Sequence, residues 1–415
     1  MPILDPVTPQ LKLHAFAGFG IELEYMIVDR ETLAVKPIAD TLLLGADNEI
    51  TNEVDHGELA WSNELVLHVL ELKTNGPAQR LDGLGQLFHR DLVEINRKLS
   101  ESNAQLLPTA MHPLFDPAVE TRLWPHGQNE IYEAYDRIFG CRGHGWSNLQ
   151  SMHINLPFFD DAEFRRLHAA IRIVLPLIPA LSAASPLEQG RPAAWLNNRL
   201  KYYRDNQKAI PEISGQVVPE PVDGIEDYRQ RILGPMYRAI EPHDPDGILV
   251  DDWLNSRGAI ARFDRQSIEI RVIDLQECPA ADLAIAEVVV GLVKALYQED
   301  FASFDAQQAI PTERLADLLW RSARSGGQAL IEAPMILKLF GQSQPLTIAE
   351  LWRRSLERGL GTSAAASAVL ARIIQRGSLA EAIMRRVGAQ PERADVLACY
   401  QDLGICLAEN RLFEY

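Results

Sequence analysis

Four short segments of this 415-residue chain alternate charged and apolar residues, and they carry its most distinctive chemistry. The segments are GFGIELEYMIV (18–28), VLHVLELKT (66–74), QSMHINLP (150–157) and QSIEIRVID (266–274). Because successive side chains of a β-strand point to opposite faces, each segment predicts a half-buried strand with one polar face. Besides Lys73, the charged members of these faces are carboxylates, one imidazole and one guanidinium: Glu22, Glu24, Glu71, His153, Glu269 and Arg271.

If the four polar faces line one cavity, their residue types predict a metal site. Several carboxylates resist ionisation together unless cations lie between them. Oxygen ligands with a single imidazole suit Mg²⁺ or Mn²⁺ better than zinc, which favours histidine and cysteine. Magnesium held by carboxylates usually also contacts substrate phosphates. The pattern therefore predicts nucleotide-dependent phosphoryl transfer.

Simpler explanations compete with this hypothesis. The solvated outer face of an antiparallel sheet would explain the alternation of any one strand, but four segments rich in carboxylate, imidazole and guanidinium are not typical of such a face. Motifs of the P-loop (GxxxxGK[ST]), HExxH and GxSxG types are absent from the sequence. Cys141 and His144, in GCRGHGW (140–146), could form a nucleophile pair, although a flexible loop before the strand at 150–157 explains that segment more simply.

The elements that must position these residues divide the chain into two regions. Residues 1–304 mix strand-like segments with helices and predict a catalytic domain, whereas 305–415 predict a helical C-terminal region packed on it. Gly359 and Gly377 lie where helix ends are expected. The predicted helices are 78–101, 128–138, 160–182, 280–298, 312–324, 346–358, 364–375, 378–388 and 391–409.

Composition and charge exclude several classes of protein. The 40 basic and 57 acidic residues give a formal net charge of −17, which disfavours binding to nucleic acid or to an anionic membrane. Four cysteines without CxxC spacing predict a reducing cytoplasm. The opening MPILDPVTPQ lacks the basic region of a signal peptide. The apolar run 173–187 is interrupted by prolines and is shorter than the roughly 18 residues that span a membrane.

The motifs, taken together, resemble those of glutamate–cysteine ligase family 2, the bacterial carboxylate–amine ligases. GIELEY resembles the opening strand of that family, SMHINLP its histidine strand and SIEIRVID its strand with Glu and Arg before a long helix. LPTAMHPLF (107–115) resembles its segment ending in His-Pro, and ALSAASPLEQG (180–190) its Ser-Pro segment. These elements occur in the family order and cover roughly residues 15–300.

The resemblance implies an α+β fold of the glutamine-synthetase type, in which helices lie outside a curved antiparallel sheet. The concave face of that sheet would bind ATP, Mg²⁺ or Mn²⁺ and an acidic substrate. By motif, Arg271 would face the transferring phosphate, and Arg199, in AAWLNNRL, would contact phosphate or substrate. The implied metal ligands are Glu22, Glu24, Glu71, His153 and Glu269.

The sequence departs from the family pattern in two places, and both leave the substrates open. The stretch before Arg199 lacks the usual small and hydroxyl residues, and the connection ARFDRQ (261–266) is shorter than usual. Whether Arg262 or Arg265 belongs to the site stays open for that reason. Glu64 precedes Glu71 by seven residues, so it can join the site only if a turn or bulge intervenes.

The function that the resemblance implies is an ATP-dependent carboxylate–amine ligase that forms an amide through an acyl phosphate. Its partners would be a small-molecule acid, such as an amino acid, and an amine, with γ-glutamylcysteine as one candidate product. A phosphotransferase of the guanidino-kinase type on the same fold is the alternative, and a regulatory protein without turnover is a third. The sequence leaves the oligomeric state open, including a homo-oligomer.

Overall fold

The computed structural model describes residues 12–414, so the opening segment MPILDPVTPQ lies outside the described residues. The strands are β1 Gly20–Asp29, β2 Glu53–His56, β3 Leu59–Asn63, β4 Val69–Thr74, β5 Ala104–Leu107, β6 Ser151–Pro157, β7 Leu187–Glu188, β8 Arg191–Pro192, β9 Ala259–Arg262, β10 Ser267–Asp274, β11 Leu330–Ile331 and β12 Leu346–Thr347. One eight-stranded sheet dominates, with the strand order β2-β3-β4-β1-β6-β10-β9 and β5 paired with the far end of β1; every pair is antiparallel. Two two-stranded pairs lie apart from it.

The four predicted strand segments are confirmed as β1, β4, β6 and β10, and they are neighbours at the centre of the sheet. Their register brings the polar residues together, because directly opposite residues share a face of the sheet. Glu22 lies opposite His153 across the β1–β6 pair, and Glu24 lies opposite Glu71 across the β1–β4 pair. Glu269 extends the polar face onto β10, where it is opposite Asn155.

The helices follow the predicted segments closely, with two corrections. The helix predicted over 78–101 begins only at Leu84, after Gly83, which has a φ of 93°. The helix predicted over 160–182 ends at Val174, and a 3₁₀ turn and a second short helix follow, because prolines 176 and 179 lack the N–H that a continuous helix needs. Gly359 and Gly377 follow helix ends as predicted.

The sequence did not predict several shorter elements. Ala259–Arg262, expected to be in part a connection, forms β9, and residues 198–205 and 225–240 are helical. A π-helical segment, Arg229–Leu233, joins the helices Ile225–Tyr228 and Gly234–Ile240. The α-helices are α1 Leu84–Leu99, α2 Pro117–Glu120, α3 Asn129–Phe139, α4 His144–Ser147, α5 Asp161–Val174, α6 Pro179–Ser182, α7 Asn198–Asp205, α8 Ile225–Tyr228, α9 Gly234–Ile240, α10 Pro279–Tyr297, α11 Phe304–Gln308, α12 Thr312–Ser325, α13 Pro334–Leu339, α14 Ile348–Glu357, α15 Ala364–Arg376, α16 Leu379–Val387 and α17 Arg393–Glu409.

The apolar face of the sheet packs on helices. Ile21, Leu23 and Tyr25 of β1 are fully buried in one large core with side chains of α1, α5 and α10. Burial of each such side chain contributes about 1.5–3 kcal/mol. The polar face is thereby left free for a site, because the opposite face of the same strands supplies the core.

The C-terminal helices share this core. Leu315, Trp352 and Leu370, from α12, α14 and α15, belong to the same buried cluster as the sheet. Side chains of α16 and α17 form a smaller cluster with Met26 and Val28 of β1. The predicted division into 1–304 and 305–415 stays a prediction.

Two further sequence predictions concern membrane-spanning segments and the state of the cysteines. Among residues 12–414, no helix combines the length and apolar character that crossing a bilayer requires. The four cysteines are buried free thiols. The cytoplasmic location stays a prediction.

Candidate active site

All seven predicted site residues line one cavity of about 420 Å³ over the polar face of the sheet. Strands β4, β1, β6 and β10 form its floor, and α3, α7 and the loops beside them form its walls. The residues are Glu22, Glu24, Glu71, His153, Arg199, Glu269 and Arg271. Strand parity correctly separated the six strand residues from the apolar positions of their strands, and the register places them on one side of the sheet.

His153 lies at the centre of the carboxylates. Its Nδ1 is 2.9 Å from Oε2 of Glu22 and 3.6 Å from Oε1 of Glu269. Its Nε2 is 3.0 Å from Oγ of Ser151 and 3.6 Å from Oε1 of Glu24. Burial opposes protonation, but the hydrogen bond to Glu22 and the charges of Glu24 and Glu269 raise the pKa of His153 to about 9.

Two groups of side chains around this histidine have the geometry of metal sites. Glu22, His153 and Glu269 form one group, and Glu24, Glu71 and His153 form the other; within each, the possible ligand atoms lie within 4.8 Å of one another. All are buried, and neither group contains cysteine. Carboxylate oxygens with a single imidazole match the ligand preferences of Mg²⁺ and Mn²⁺.

The carboxylates differ in how well their charge is compensated. Burial, together with the neighbouring Glu71, raises the pKa of Glu24, although His153 acts against this effect. Burial also acts to raise the pKa of Glu269, but the charges of Arg271 and His153 hold it below its ordinary value. For Glu22, burial and the Glu269 charge are outweighed by the His153 hydrogen bond, and the pKa is lowered. On the β4 side, Glu71 is paired with Nζ of Lys73 at 3.3 Å, whereas the pKa of Glu24 stays raised.

Three arginines reach the opposite side of the cluster. Nε of Arg271 lies 3.0 Å from Oε1 of Glu269, and about a quarter of the Arg271 side chain (25%) is exposed to the cavity. Arg262 donates to Oε2 of Glu269 at 3.2 Å, and Arg265 donates to Oε1 of Glu22 at 3.3 Å. The hairpin of β9 and β10 places both of these arginines at the cavity.

Arg199 is more deeply held than its motif suggested. Its side chain is only 2% exposed and forms an ion pair with the fully buried Asp274, with 2.7 Å between Nε and Oδ1. A second nitrogen, Nη2, donates to the main-chain carbonyl of Arg271 at 3.0 Å. Arg199 still lines the cavity.

Glu64 joins the same cavity. Strand β3 ends at Asn63, so a turn separates Glu64 from Glu71 and allows both to face the site. Burial raises the pKa of Glu64 well above its ordinary value, and the charges of Glu24 and Glu71 act in the same direction.

Aromatic residues complete one wall of the cavity, and sequence reasoning missed them. They come from α3, α4, α7 and the 3₁₀ turn Asp252–Leu254, where no strand periodicity marks them as partners of the carboxylates. Their ring centroids lie close together, for example 5.2 Å apart for Tyr135 and Trp146. The wall contains Tyr132, Tyr135, Trp146, Tyr203 and Trp253.

The alternative nucleophile pair finds no support in the structure. Cys141 is fully buried, and burial strongly raises the pKa of its thiol. His144 lies with its Nδ1 3.0 Å from Nδ2 of Asn148. A buried thiol that resists ionisation is a poor nucleophile.

Comparison with known proteins finds similar sequences along most of the chain. The model of glutamate–cysteine ligase family 2 matches residues 18–400. An uncharacterised protein of Archaeoglobus fulgidus is 31% identical over 394 residues, which cover 95% of this chain and 99% of that protein. A Streptomyces avermitilis protein, provisionally named glutamate–cysteine ligase 2-1, is 25% identical over 325 residues, or 77% of this chain and 80% of that protein.

Solved structures show the same fold at low sequence identity. The glutamate–cysteine ligase of Francisella tularensis, solved in complex with AMP, has a TM-score of 0.63 and 15% identity, covering 95% of this chain and 89% of that one. This likeness confirms the predicted α+β fold class. The match over nearly the whole length shows that the chain belongs to glutamate–cysteine ligase family 2 and is a carbon–nitrogen ligase.

Proposed function

We propose that the protein is an ATP-dependent carboxylate–amine ligase that forms an amide through an acyl phosphate. The observation that supports this most strongly is the pair of overlapping carboxylate–imidazole groups with arginines at one side. Phosphoryl transfer demands compensation of negative charge more than covalent chemistry from the protein, and the cavity offers many charged groups without an activated nucleophile.

The residues fit divalent cations of the Mg²⁺ type. Glu22, His153 and Glu269 would hold one ion, and Glu24, Glu71 and His153 would hold or share another. Burial, together with neighbouring carboxylates, raises the pKa values of Glu24 and Glu64, and a bound cation would offset both effects. When bound, such ions supply positive charge opposite a transferring phosphoryl group.

The chain's own residues would orient the substrates for two steps. First, the carboxylate of the acid attacks the γ-phosphorus of ATP, and ADP leaves. The amine then attacks the acyl carbon, inorganic phosphate leaves and the amine loses a proton. Arg271 would bond oxygens of the transferring group with its planar fork, and Arg199 would add positive charge beside it.

The substrates we propose are a small-molecule acid and an amine in the cytoplasm, with glutamate and cysteine as the first pair to examine. The family supplies this candidate pair. The AMP in the Francisella tularensis ligase supports a nucleotide as the third ligand of this fold.

Phosphate release tests the proposal directly. A screen of amino acids and amines with ATP and Mg²⁺ should give ADP and free phosphate only when an acid and an amine are both present. A kinase would instead give ADP and a phosphorylated product without free phosphate. That second outcome, or release that is independent of the amine, would contradict the ligase assignment.

A further inference from the structure

A buried carboxylate at the end of β10, Asp274, connects Arg199 with Arg271. Asp274 is the last residue of β10, and its side chain is fully buried. We propose that Asp274 is a positioning residue: it holds Arg199, which holds the main chain at Arg271 and thereby sets the direction of the Arg271 guanidinium. The inference rests on the proposed function, in which Arg271 contacts the transferring phosphoryl group.

The hydrogen bonds of Asp274 use both of its oxygens. Oδ1 accepts from Nε of Arg199 at 2.7 Å. Oδ2 accepts from the main-chain nitrogen of Ala184 at 2.9 Å and from Oγ of Ser185 at 2.8 Å. Ser185 Oγ in turn accepts from the main-chain nitrogen of Arg199 at 3.0 Å, which a hydroxyl can do while it donates elsewhere. Arg199 is therefore fixed at its main chain and at its guanidinium.

A β-bulge in β10 explains why Arg271 needs this support. Ile270 pairs with Ile154, but the next pair joins Ile273 to Met152, so β10 advances three residues while β6 advances two. A bulge leaves main-chain groups outside the regular ladder. The Arg271 carbonyl is such a group, and Nη2 of Arg199 donates to it at 3.0 Å. On the other edge, the Arg271 nitrogen donates to the carbonyl of Gly258 at 2.9 Å.

The Ser-Pro segment (180–190) binds the side chain of Asp274 in this arrangement. Ala184 and Ser185 do not line the cavity; instead they bind the oxygen of Asp274 that Arg199 leaves free. The segment thereby supplies hydrogen-bond donors to a buried carboxylate, whose burial without such partners would cost free energy. A purely structural ion pair would require the same donors, so kinetic measurements must distinguish a structural role of Asp274 from a positioning role.

Asp274→Asn is the discriminating variant. Asparagine has an NH₂ group in place of one oxygen, so it must direct a donor towards either Arg199 or the Ala184 and Ser185 donors. We expect kcat to fall about 10²-fold, since small misplacements of a positioned group cost that much. The affinity for Mn²⁺, measured by titration of the variant, should stay within a few-fold, because the carboxylate–imidazole groups do not contact Asp274.

A double-mutant cycle with Arg271→Lys shows whether Asp274 acts through Arg271. If it does, the double variant should have about the kcat of the slower single variant. If the two residues act independently, the losses should multiply, and that outcome would overturn the proposal. Ser185→Ala gives a milder version of the same cycle and replaces Asp274→Asn if that variant does not fold.

Asp91→Asn is the matched control. Asp91 lies on α1, is 5% exposed and accepts a hydrogen bond from Nε1 of Trp61 at 2.9 Å. The same substitution there should lower the melting temperature and leave kcat within a few-fold. If Asp274→Asn behaved in that way too, its role would be structural only. The cycle can be measured on whichever phosphoryl transfer the parent catalyses, so failure of the ligase assignment is seen separately, in the parent's dependence on acid and amine.

Discussion

The two faces of strand β1 differ sharply although their residues alternate along one segment. Ile21, Leu23 and Tyr25 are fully buried among apolar side chains and hold the sheet on its helices. Glu22 and Glu24 are also buried, at 8% exposure each, but they lie among other charged groups over a cavity. Burial alone therefore does not distinguish a core from a site.

The difference lies in what each face gains from burial. Apolar side chains gain free energy when they leave water. Carboxylates lose hydration when they are buried. On this face only some of them gain enough favourable interaction with His153 and the arginines to offset that loss. One face thus contributes stability, and the other retains a charge distribution that suits bound cations.

Removal of metal ions from the polar face should have the largest effect on activity. With a chelator in excess, activity should vanish, because at least four carboxylates would face the phosphoryl group without cations. Steady-state phosphate release with Mg²⁺, Mn²⁺ and Zn²⁺ checks this, and Zn²⁺ should restore little, given one histidine and no cysteine in either group. Undiminished turnover in chelator would remove the basis for the metal assignment.

Single substitutions in β1 should affect activity on the polar face and stability on the apolar face. Glu24→Gln, and likewise Glu22→Gln, should lower kcat by orders of magnitude with little change in melting temperature. Leu23→Asp should instead destabilise the fold by several kcal/mol, since it buries an unpaired charge. Turnover and thermal unfolding are measured on the same preparations.

The Glu24 and Leu23 substitutions each test a different face of β1. A fully active Glu24→Gln variant would show that the polar face does not perform the chemistry. A Leu23→Asp variant with the parent's melting temperature would show that the opposite face is not a core.

Arg271→Lys should have the next largest effect. Lysine keeps the charge but loses the planar fork that bonds two phosphate oxygens, so kcat should fall roughly 10²-fold with little change in melting temperature. The control is the exposed ion pair of Arg353 with Glu350 on α14, where Arg353→Lys should leave kcat unchanged. Turnover of Arg271→Lys within a few-fold of the parent would return Arg271 to a simple ion pair with Glu269.

A histidine on the apolar side should give the smallest effect. His168 packs against the rings of Phe164 and Tyr228, and burial lowers its pKa to about 3. Because its unfolded pKa is near 6.5, its contribution to stability is present above about pH 6.5 and is lost as the pH falls towards 3. His168→Leu should therefore flatten the acid limb of the unfolding free energy by about one proton; an unchanged slope would contradict the neutral buried state.

Strand parity explains how much of the site was predictable. Period-2 alternation assigned the six strand residues to polar faces, and the register then brought Glu22 to His153 and Glu24 to Glu71. Alternation does not specify which strands are neighbours, so a common cavity was first a supposition from the residue types, and the family resemblance then supported it. The strands at the edge, such as β9, are too short to show a clear pattern.

The remaining parts of the site depend on long-range geometry. Asp274 has the parity of the apolar positions 268, 270 and 272, and only the bulge between Ile270 and Ile273 allows it to reach Arg199, 75 residues earlier in the chain. The aromatic wall comes from three helices and a 3₁₀ turn without a shared period. Neither feature has a local sequence signal.

Transfer of oxygen from the acid to phosphate tests the central claim most directly. The acid that supports turnover is labelled with ¹⁸O in its carboxylate, and the phosphate released with ATP, Mg²⁺ and the amine is analysed by mass spectrometry. An acyl phosphate predicts one ¹⁸O atom in each phosphate released. Unlabelled phosphate, or label retained in a stable phosphorylated product, would contradict the account.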